Sequence, residues 1–311
     1  MMSAPFYCQA ESIGLEARRL LTSPGFSGKV LAVVSRTIYL QSDGDEILWV
    51  VKGGLPMHRR SLLASFPSSS YDPGKRFFVR ESCLHIGEQA VVDLEKATHW
   101  NQRSAEPGEE ASPPFLAALV RKTLTALCGL ANPKGLGKAL PVISAIAAGR
   151  TSPPLAPDSL VKEALNPIIE AAEACLARDL PGAVRKSWEL VGLGGGLTPS
   201  GDDFLGGLLF VAHALHESYP GRFHWDPESI LYSIKQACEQ TNLISHVLLS
   251  DLALGHGPEP LHEVVNALIM GRDMETVMNC VTRLTGIGST SGWDMLTGLM
   301  TGMLLTEDGM N

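Results

Sequence analysis

The spacing of hydrophobic and polar positions changes once along the chain, near residue 100. From Lys29 to Leu94, short apolar runs rich in β-branched and aromatic residues follow one another, among them K-V-L-A-V-V-S-R-T-I-Y-L and E-I-L-W-V-V. The segment S-D-G-D between these two runs is typical of a hairpin turn. We therefore predict a β-rich domain over residues 1–100, an antiparallel β-barrel or sandwich.

Beyond residue 114 the apolar positions follow the three-and-four spacing of helices. The first helix is predicted to begin at Pro113-Pro114. Further helices are predicted over about 159–177, 182–191, 199–217, 228–254, 261–270, 273–284 and 291–305. Pro167 is expected to kink or split the helix that contains it. The predicted fold class is α+β, with a mostly α-helical domain over residues 115–311 after the β-rich one.

Between the two patterns lies N-Q-R-S-A-E-P-G-E-E-A-S-P-P, from Asn101 to Pro114. It is polar, charged and rich in proline, which is the composition of an exposed connection. We predict a linker over residues 101–114.

Composition and charge mainly exclude classes of protein. The 311 residues are 45% hydrophobic with a net charge of −8, as in an ordinary globular protein with a large core. No Lys/Arg cluster is interleaved with aromatic residues, which argues against a nucleic-acid partner. The 6 cysteines lie far apart and are expected to be buried thiols. No secretory signal or membrane-length apolar run is visible, so we expect a cytoplasmic protein without a membrane partner.

Two glycine-rich segments precede predicted helices and resemble each other. The segment S-G-D-D-F-L-G-G-L from Ser200 aligns without gaps with S-G-W-D-M-L-T-G-L from Ser291, and Ser, Gly, Asp, Leu, Gly and Leu match. The first follows G-L-G-G-G from Gly192 and the second follows G-I-G from Gly286. The simplest arrangement is two helices that enter the same region by similar N-termini.

This repeat has a structural and a functional interpretation. In the structural one, Ser200 with Asp203, and Ser291 with Asp294, form capping boxes. Three features exceed that role: the second acid Asp202, the several unobstructed N–H groups of the glycines, and the recurrence. Helix N-termini bind anions, whereas adjacent carboxylates repel them. The expected ligand therefore carries both an anionic group and N–H donors, or is a phosphate bridged by Mg²⁺.

The candidate site follows from these motifs. The catalytic candidates are Asp202, Asp203 and Asp294, and Asp202 and Asp203 are also the candidate ligands of Mg²⁺. The candidate ligand-binding residues lie on the two segments that precede and begin the helices: Gly194, Gly195, Gly196, Thr198, Ser200, Gly201, Thr290, Ser291 and Gly292.

Three further sets of residues also have two interpretations. His213 and His216 have the spacing of two metal ligands on a helix, or simply pack. In N-P-K-G-L-G-K, Lys134 or Lys138 reaches a phosphate, or the segment is a helix-ending turn without the P-loop spacing. The third set lines a cavity beneath the glycine-rich loop or forms a satisfied buried polar stripe, and it comprises Thr241, Ser245 and His246.

Together, G-L-G-G-G-L-T-P-S-G-D-D-F-L-G-G and G-I-G-S-T-S-G-W-D-M-L-T-G resemble the AllH-type family, which includes a subunit of the oxamate carbamoyltransferase of anaerobic allantoin breakdown. The family commonly has Pro where this chain has Gly195. The resemblance implies purine catabolism in a multi-subunit transferase, with chemistry between oxalurate, phosphate, oxamate and carbamoyl phosphate. It also implies that the aspartates accept amide N–H groups while the glycine-rich loop binds anionic oxygens. The alternative is a non-catalytic subunit that binds a small molecule or serves assembly.

Overall fold

The structure is a computed structural model that describes residues 5–34, 36–66, 71–101, 111–151, 153, 155, 158–223 and 225–307. The chain divides into two compact units, Met1–Arg103 and Ser104–Asn311. The predicted linker over 101–114 lies largely outside the described residues, because 102–110 are not among them. The linker and the domain bounds built on it therefore stay predictions.

The N-terminal unit is built from one sheet and a short helix. Its elements are β1 (Phe6–Gly14), α1 (Leu15–Leu21), β2 (Ser27–Val34), β3 (Thr37–Ser42), β4 (Ile47–Val51), β5 (Ser61–Ala64), β6 (Arg76–Arg80), β7 (Cys83–Ile86), β8 (Ala90–Asp93) and β9 (Thr98–Trp100). The strand order is β5-β4-β3-β2-β6-β7-β8-β1-β9, and β1 also pairs with β5. This last pairing closes β1 to β8 into an eight-stranded barrel, which β9 extends alongside β1.

The apolar runs K-V-L-A-V-V-S-R-T-I-Y-L and E-I-L-W-V-V form β2, β3 and β4, as expected. In β3 the side chains of Ile38 and Leu40 are fully buried and their neighbours face outward. The predicted hairpin joins β3 to β4, with Gln41 opposite Ile47. The hydroxyl of Ser42 stabilises its turn by accepting the N–H groups of Gly44 and Glu46. Of the two predicted architectures, barrel and sandwich, the structure has the barrel. It is not purely antiparallel as predicted, because β4–β5, β1–β8 and β1–β9 pair in parallel.

The second unit is mostly helical, as the sequence predicts. Its helices are α2 (Pro113–Cys128), α3 (Leu140–Ala147), α4 (Ser159–Leu176), α5 (Leu180–Ser187), α6 (Ser200–Ser218), α7 (Pro227–Gln236), α8 (Leu243–Ala253), α9 (Glu259–Ile269), α10 (Met274–Thr285) and α11 (Ser291–Gly302), with short 3-10 turns at Gly135–Ala139, Trp188–Leu190, Ala237–Glu239 and Met303–Thr306. The α+β class is confirmed. None of the described helices is long and apolar enough to span a membrane.

Three details of the sequence interpretation are wrong. The helix predicted over 228–254 is interrupted between α7 and α8, because Asn242 begins a new helix by accepting the N–H of Ser245. Of the two outcomes predicted for Pro167, a kink or a split, the split is wrong, since Pro167 lies inside a continuous α4 with buried apolar residues on both sides. The cysteines are free thiols, but Cys128 and Cys238 are exposed rather than buried.

Helices α6 and α11 cross with their backbones almost in contact. A Cβ atom at Gly207 would lie 2.1 Å from the carbonyl oxygen of Met295, and one at Gly298 would lie 1.8 Å from that of Phe204. The sequence repeat aligns Gly207 with Gly298 and Phe204 with Met295. The two contacts are therefore equivalent, and the repeat packs against itself about a local pseudo-two-fold axis.

Candidate functional site

The two repeated motifs meet at the starts of α6 and α11. The hydroxyls of Thr198 and Ser291 lie 3.0 Å apart and join the two segments by a hydrogen bond. The capping-box interpretation is wrong, because the N-cap residues are Pro199 and Thr290 and neither helix start has a side-chain cap hydrogen bond. Ser200 is the first residue of its helix, as Ser291 is. We call the region between these two helix starts the cleft.

The glycine-rich loop, residues 192–196, has two kinds of glycine. Gly192, Gly194 and Gly196 have φ angles of 80°, 106° and 98°, which side chains rarely tolerate. A Cβ atom at Gly194 would lie 2.9 Å from the backbone nitrogen of Ser200. Around Gly195 and Gly196, by contrast, a Cβ would meet nothing within 4 Å. The first part of the loop is packed, and the second leaves open space beside the backbone.

Gly201 and Gly292 serve packing at equivalent positions of the repeat. A Cβ atom would lie 1.8 Å from the carbonyl oxygen of Leu190 at the first position and 1.9 Å from that of Leu284 at the second. Their N–H groups already donate to backbone carbonyls, those of Leu193 and Ile287. The two glycines thus hold each helix on the turn before it and have no free N–H for a ligand.

Asp202 holds the glycine-rich loop and α8 in place. Its Oδ1 accepts the Gly192 N–H at 2.6 Å. Its Oδ2 accepts the hydroxyl of Ser245 at 2.5 Å and that of Thr241. The side chain is only 1% exposed. These three donors occupy most of the acceptor sites of the carboxylate, so Asp202 is engaged structurally.

Unlike Asp202, Asp203 and Asp294 each have a carboxyl oxygen that accepts no hydrogen bond. They are 6% and 0% exposed, yet the Oδ2 atom of each has no hydrogen-bond partner. Oδ1 of Asp294 accepts the N–H of Leu136 at 2.6 Å. Buried polar atoms are nearly always satisfied, which makes these two carboxyl oxygens the candidate ligand contacts of the site.

Burial raises the pKa of both carboxyls. For Asp203, burial is the largest cause and the charge of Asp294 the next, and the pKa lies well above 3.8. For Asp294, burial raises the pKa to about 6, although the Leu136 N–H lowers it. The charge of Asp294 thus makes the ionisation of Asp203 less favourable.

The hydroxyl groups around the pair follow the same pseudo-symmetry as the glycines. Those that lower the pKa of Asp203 belong to Ser291 and Thr198. Those that lower the pKa of Asp294 belong to Ser200 and Thr290. Each carboxyl thus interacts with a threonine of its own loop and with the first serine of the other helix, so neither half of the repeat forms a site alone.

The variant Asp203→Asn is expected to be more stable than the wild type at neutral pH. A folded-state pKa above the ordinary 3.8 means that the folded chain binds the proton more tightly than the unfolded chain. The wild type therefore loses stability as the pH rises from the ordinary value through the folded one. Asparagine does not titrate, so its advantage in the free energy of unfolding should grow as the pH rises above about 4 in urea titrations.

Asp273→Asn provides the control with the opposite sign. Bonds from Thr276 lower the pKa of Asp273, which begins α10, so its contribution is present at neutral pH and lost as the pH falls. If both variants changed stability with the same pH slope, the account of Asp203 would be contradicted.

Several other candidates have structural partners. The ring of His213 lies edge-on to Trp225, and His216 Nδ1 lies 2.7 Å from the carbonyl oxygen of Phe223, which supports packing roles for both. Lys138 pairs with Asp158 at 2.6 Å. Among the described residues, no group of three or more His, Cys, Asp or Glu side chains is placed to hold a metal ion.

Sequence reasoning missed one part of the site, the backbone of Gly135 and Leu136. Their 3-10 turn contributes the N–H that binds Asp294, from 158 positions away. The Leu136 N–H is a backbone donor, so no residue type identifies it in the sequence. The glycines of N-P-K-G-L-G-K are the one signal there that indicates a close backbone approach. A cavity of about 650 Å³ elsewhere in this unit, between α5 and α7, has no motif residue in its wall.

Comparison with known proteins agrees with the motifs. Residues 190–303 match the model of a family described as oxamate carbamoyltransferase subunit AllH. The matched segment includes both motifs and the helices from α6 to α11. The resemblance to the AllH-type family is thereby confirmed over a little more than a third of the chain. No solved structure matches the chain.

Proposed function

We propose that this chain, which carries the AllH family match, is a carbamoyltransferase subunit that binds a small carbamoyl compound in the cleft. One observation carries the proposal: Asp203 and Asp294 each present a buried Oδ2 without a partner. Because the family is named for a subunit, we expect other subunits to complete the enzyme. The compounds we propose are oxalurate or oxamate, with phosphate and carbamoyl phosphate as the exchanged pair.

A carbamoyl group suits this pair of carboxyls in the state in which one is ionised and the other is protonated. Its NH₂ group donates hydrogen bonds, which the ionised carboxyl accepts. Its carbonyl oxygen accepts a hydrogen bond, which the protonated carboxyl donates. A purely anionic ligand would be repelled by Asp203 and Asp294, so this pair favours an amide over a simple anion.

The rest of the cleft suits the anionic part of such a compound. Gly195 and Gly196 leave open space beside the loop backbone. The linked hydroxyls of Thr198 and Ser291 join this loop to the start of α11. Oriented N–H and O–H groups at helix starts stabilise anionic oxygens, including the oxyanion that develops when a carbamoyl carbon is attacked.

In the proposed reaction, a phosphate oxygen attacks the carbamoyl carbon of oxalurate. The bond from that carbon to the inner nitrogen breaks, which yields carbamoyl phosphate and oxamate. The proton that hydrogen phosphate loses is taken up by the leaving nitrogen, so atoms and charges balance. The Asp203–Asp294 pair accepts the proton that hydrogen phosphate loses and donates a proton to the leaving nitrogen, which is general acid–base catalysis.

The test is phosphate-dependent cleavage of oxalurate, assayed with the purified chain alone and with candidate partner subunits. Asp203→Asn should reduce turnover about 100-fold or more while the variant remains folded. Asp273→Asn, at the exposed start of α10, should retain wild-type turnover. If the wild type had no activity in any combination and also failed to bind oxalurate in calorimetry, the proposed function would be wrong. Binding without turnover would favour the non-catalytic alternative.

A further inference from the structure

The turn from Lys134 to Lys138 is fixed against the start of α11 by its backbone. A Cβ atom at Gly135 would lie 2.2 Å from Asp294 Oδ1 and 2.9 Å from Thr290 Cβ, and one at Gly137 would lie 2.6 Å from the ring of Trp293. Gly135 has a φ angle of 50°. Only glycines allow this approach, which places the preceding residue, Lys134, at the border of the cleft.

The acids of the cleft have no positive partner in the described part of the chain. Burial and the neighbouring aspartates raise the pKa of Asp203, burial raises that of Asp294, and the groups that lower either value are hydroxyls and one backbone N–H. No lysine or arginine is among these causes. A carbamoyl compound with a carboxylate or phosphate therefore needs a cation for its anionic end.

Two lysines lie on the turn, and they differ in their partners. The ammonium of Lys138 is 2.6 Å from Asp158 Oδ2. Lys134 is exposed, and among the described residues its ammonium forms no ion pair. Consecutive Cα atoms are about 3.8 Å apart, and an extended lysine carries its ammonium roughly 6 Å from its Cα. Lys134 can therefore reach a ligand that contacts Asp294.

We propose that Lys134 determines specificity by binding the anionic group, a carboxylate or a phosphate, of the compound whose amide end faces Asp203 and Asp294. This inference rests on the proposed function, since it takes the amide end to be held by the two acids. A neutral amide of similar size satisfies the acids equally well and gains nothing from the ammonium. Lys134 thus makes the site bind anionic carbamoyl compounds more tightly than neutral ones.

The test is calorimetric titration of the full chain with oxamate, with neutral oxamide and with inorganic phosphate. Lys134→Met should weaken oxamate binding about tenfold or more and oxamide binding less than twofold. Lys138→Met, on the same turn, should change neither. If phosphate binding falls in Lys134→Met while oxamate binding falls with it, the ammonium serves both anions. If phosphate binding is retained, the ammonium serves the carboxylate.

Two results would overturn the inference without touching the proposed function: unchanged oxamate affinity in Lys134→Met, or equal losses for oxamate and oxamide. A wild-type chain that binds neither oxamate nor oxamide would overturn both the inference and the proposed function. Protection of Lys134, but not of Lys138, from amine acetylation by added oxamate is expected as an independent readout.

Discussion

Gly298→Ala is expected to destabilise the helical unit by about 3 kcal/mol, near the upper end of overpacking effects. The added Cβ would lie 1.8 Å from the carbonyl oxygen of Phe204, which belongs to the backbone of α6 and cannot rotate away. The helices would have to separate, and the buried contacts along their whole crossing would loosen. Urea denaturation followed by circular dichroism measures the effect.

The matched control is Gly206→Ala on the facing helix. There the Cβ would lie 2.4 Å from Leu252 Cδ1, the end of a flexible side chain that can move. Its cost should be offset in part by the gain of about 1 kcal/mol in helix propensity. Gly207→Ala, the pseudo-symmetric partner of Gly298→Ala, should resemble the latter. Equal stabilities of the Gly206 and Gly298 variants would contradict the packing described here.

Asp202→Asn is expected to cost about 3 kcal/mol of unfolding free energy, because it leaves buried donors without an acceptor. The Asp202 carboxylate accepts from the Gly192 N–H and from the hydroxyls of Thr241 and Ser245. An amide has one acceptor oxygen, and its NH₂ group would face at least one of these donors. Chemical denaturation measures the loss.

The neighbouring variant, Asp203→Asn, is the comparison for this prediction. The same chemical change one position further along α6 should stabilise the chain at neutral pH instead of destabilising it. Should the two variants shift stability in the same direction and by similar amounts, the distinct roles of Asp202 and Asp203 would be disproved. The double change Thr241→Val with Ser245→Ala should make Asp202→Asn less costly, because fewer donors are then left unsatisfied.

The sequence predicts the fold well where local pattern determines structure. The apolar runs on either side of S-D-G-D give the hairpin, and the three-and-four spacing gives the helices. The repeat also correctly indicates that two similar helix starts enter one region. What it cannot distinguish is Asp202 from Asp203, since adjacent helical residues point about 100° apart. Asp202 faces α8 and Asp203 faces the start of α11. Only the packing of these helices decides which aspartate has which neighbour.

The capping-box interpretation failed for a related reason. S-x-x-D fits a helix that begins after the serine, whereas here each helix begins at the serine. Because of this one-residue shift, Asp203 and Asp294 do not cap their own helices. Asp203 interacts with the first serine of α11, and Asp294 with the first serine of α6. Likewise, the contribution of Leu136 depends on how α11 packs, and no local pattern encodes it.

The bond from Leu136 to Asp294 also bears on the order of folding. It closes a loop of 158 residues, and closing a loop of that size carries an entropic cost that local contacts do not. We therefore expect the cleft to assemble late, after α11 has docked, since a partly synthesised chain that ends before this helix lacks Asp294. A ligand that binds the cleft recognises only chains that have completed this step, and by mass action it draws the folding equilibrium toward them.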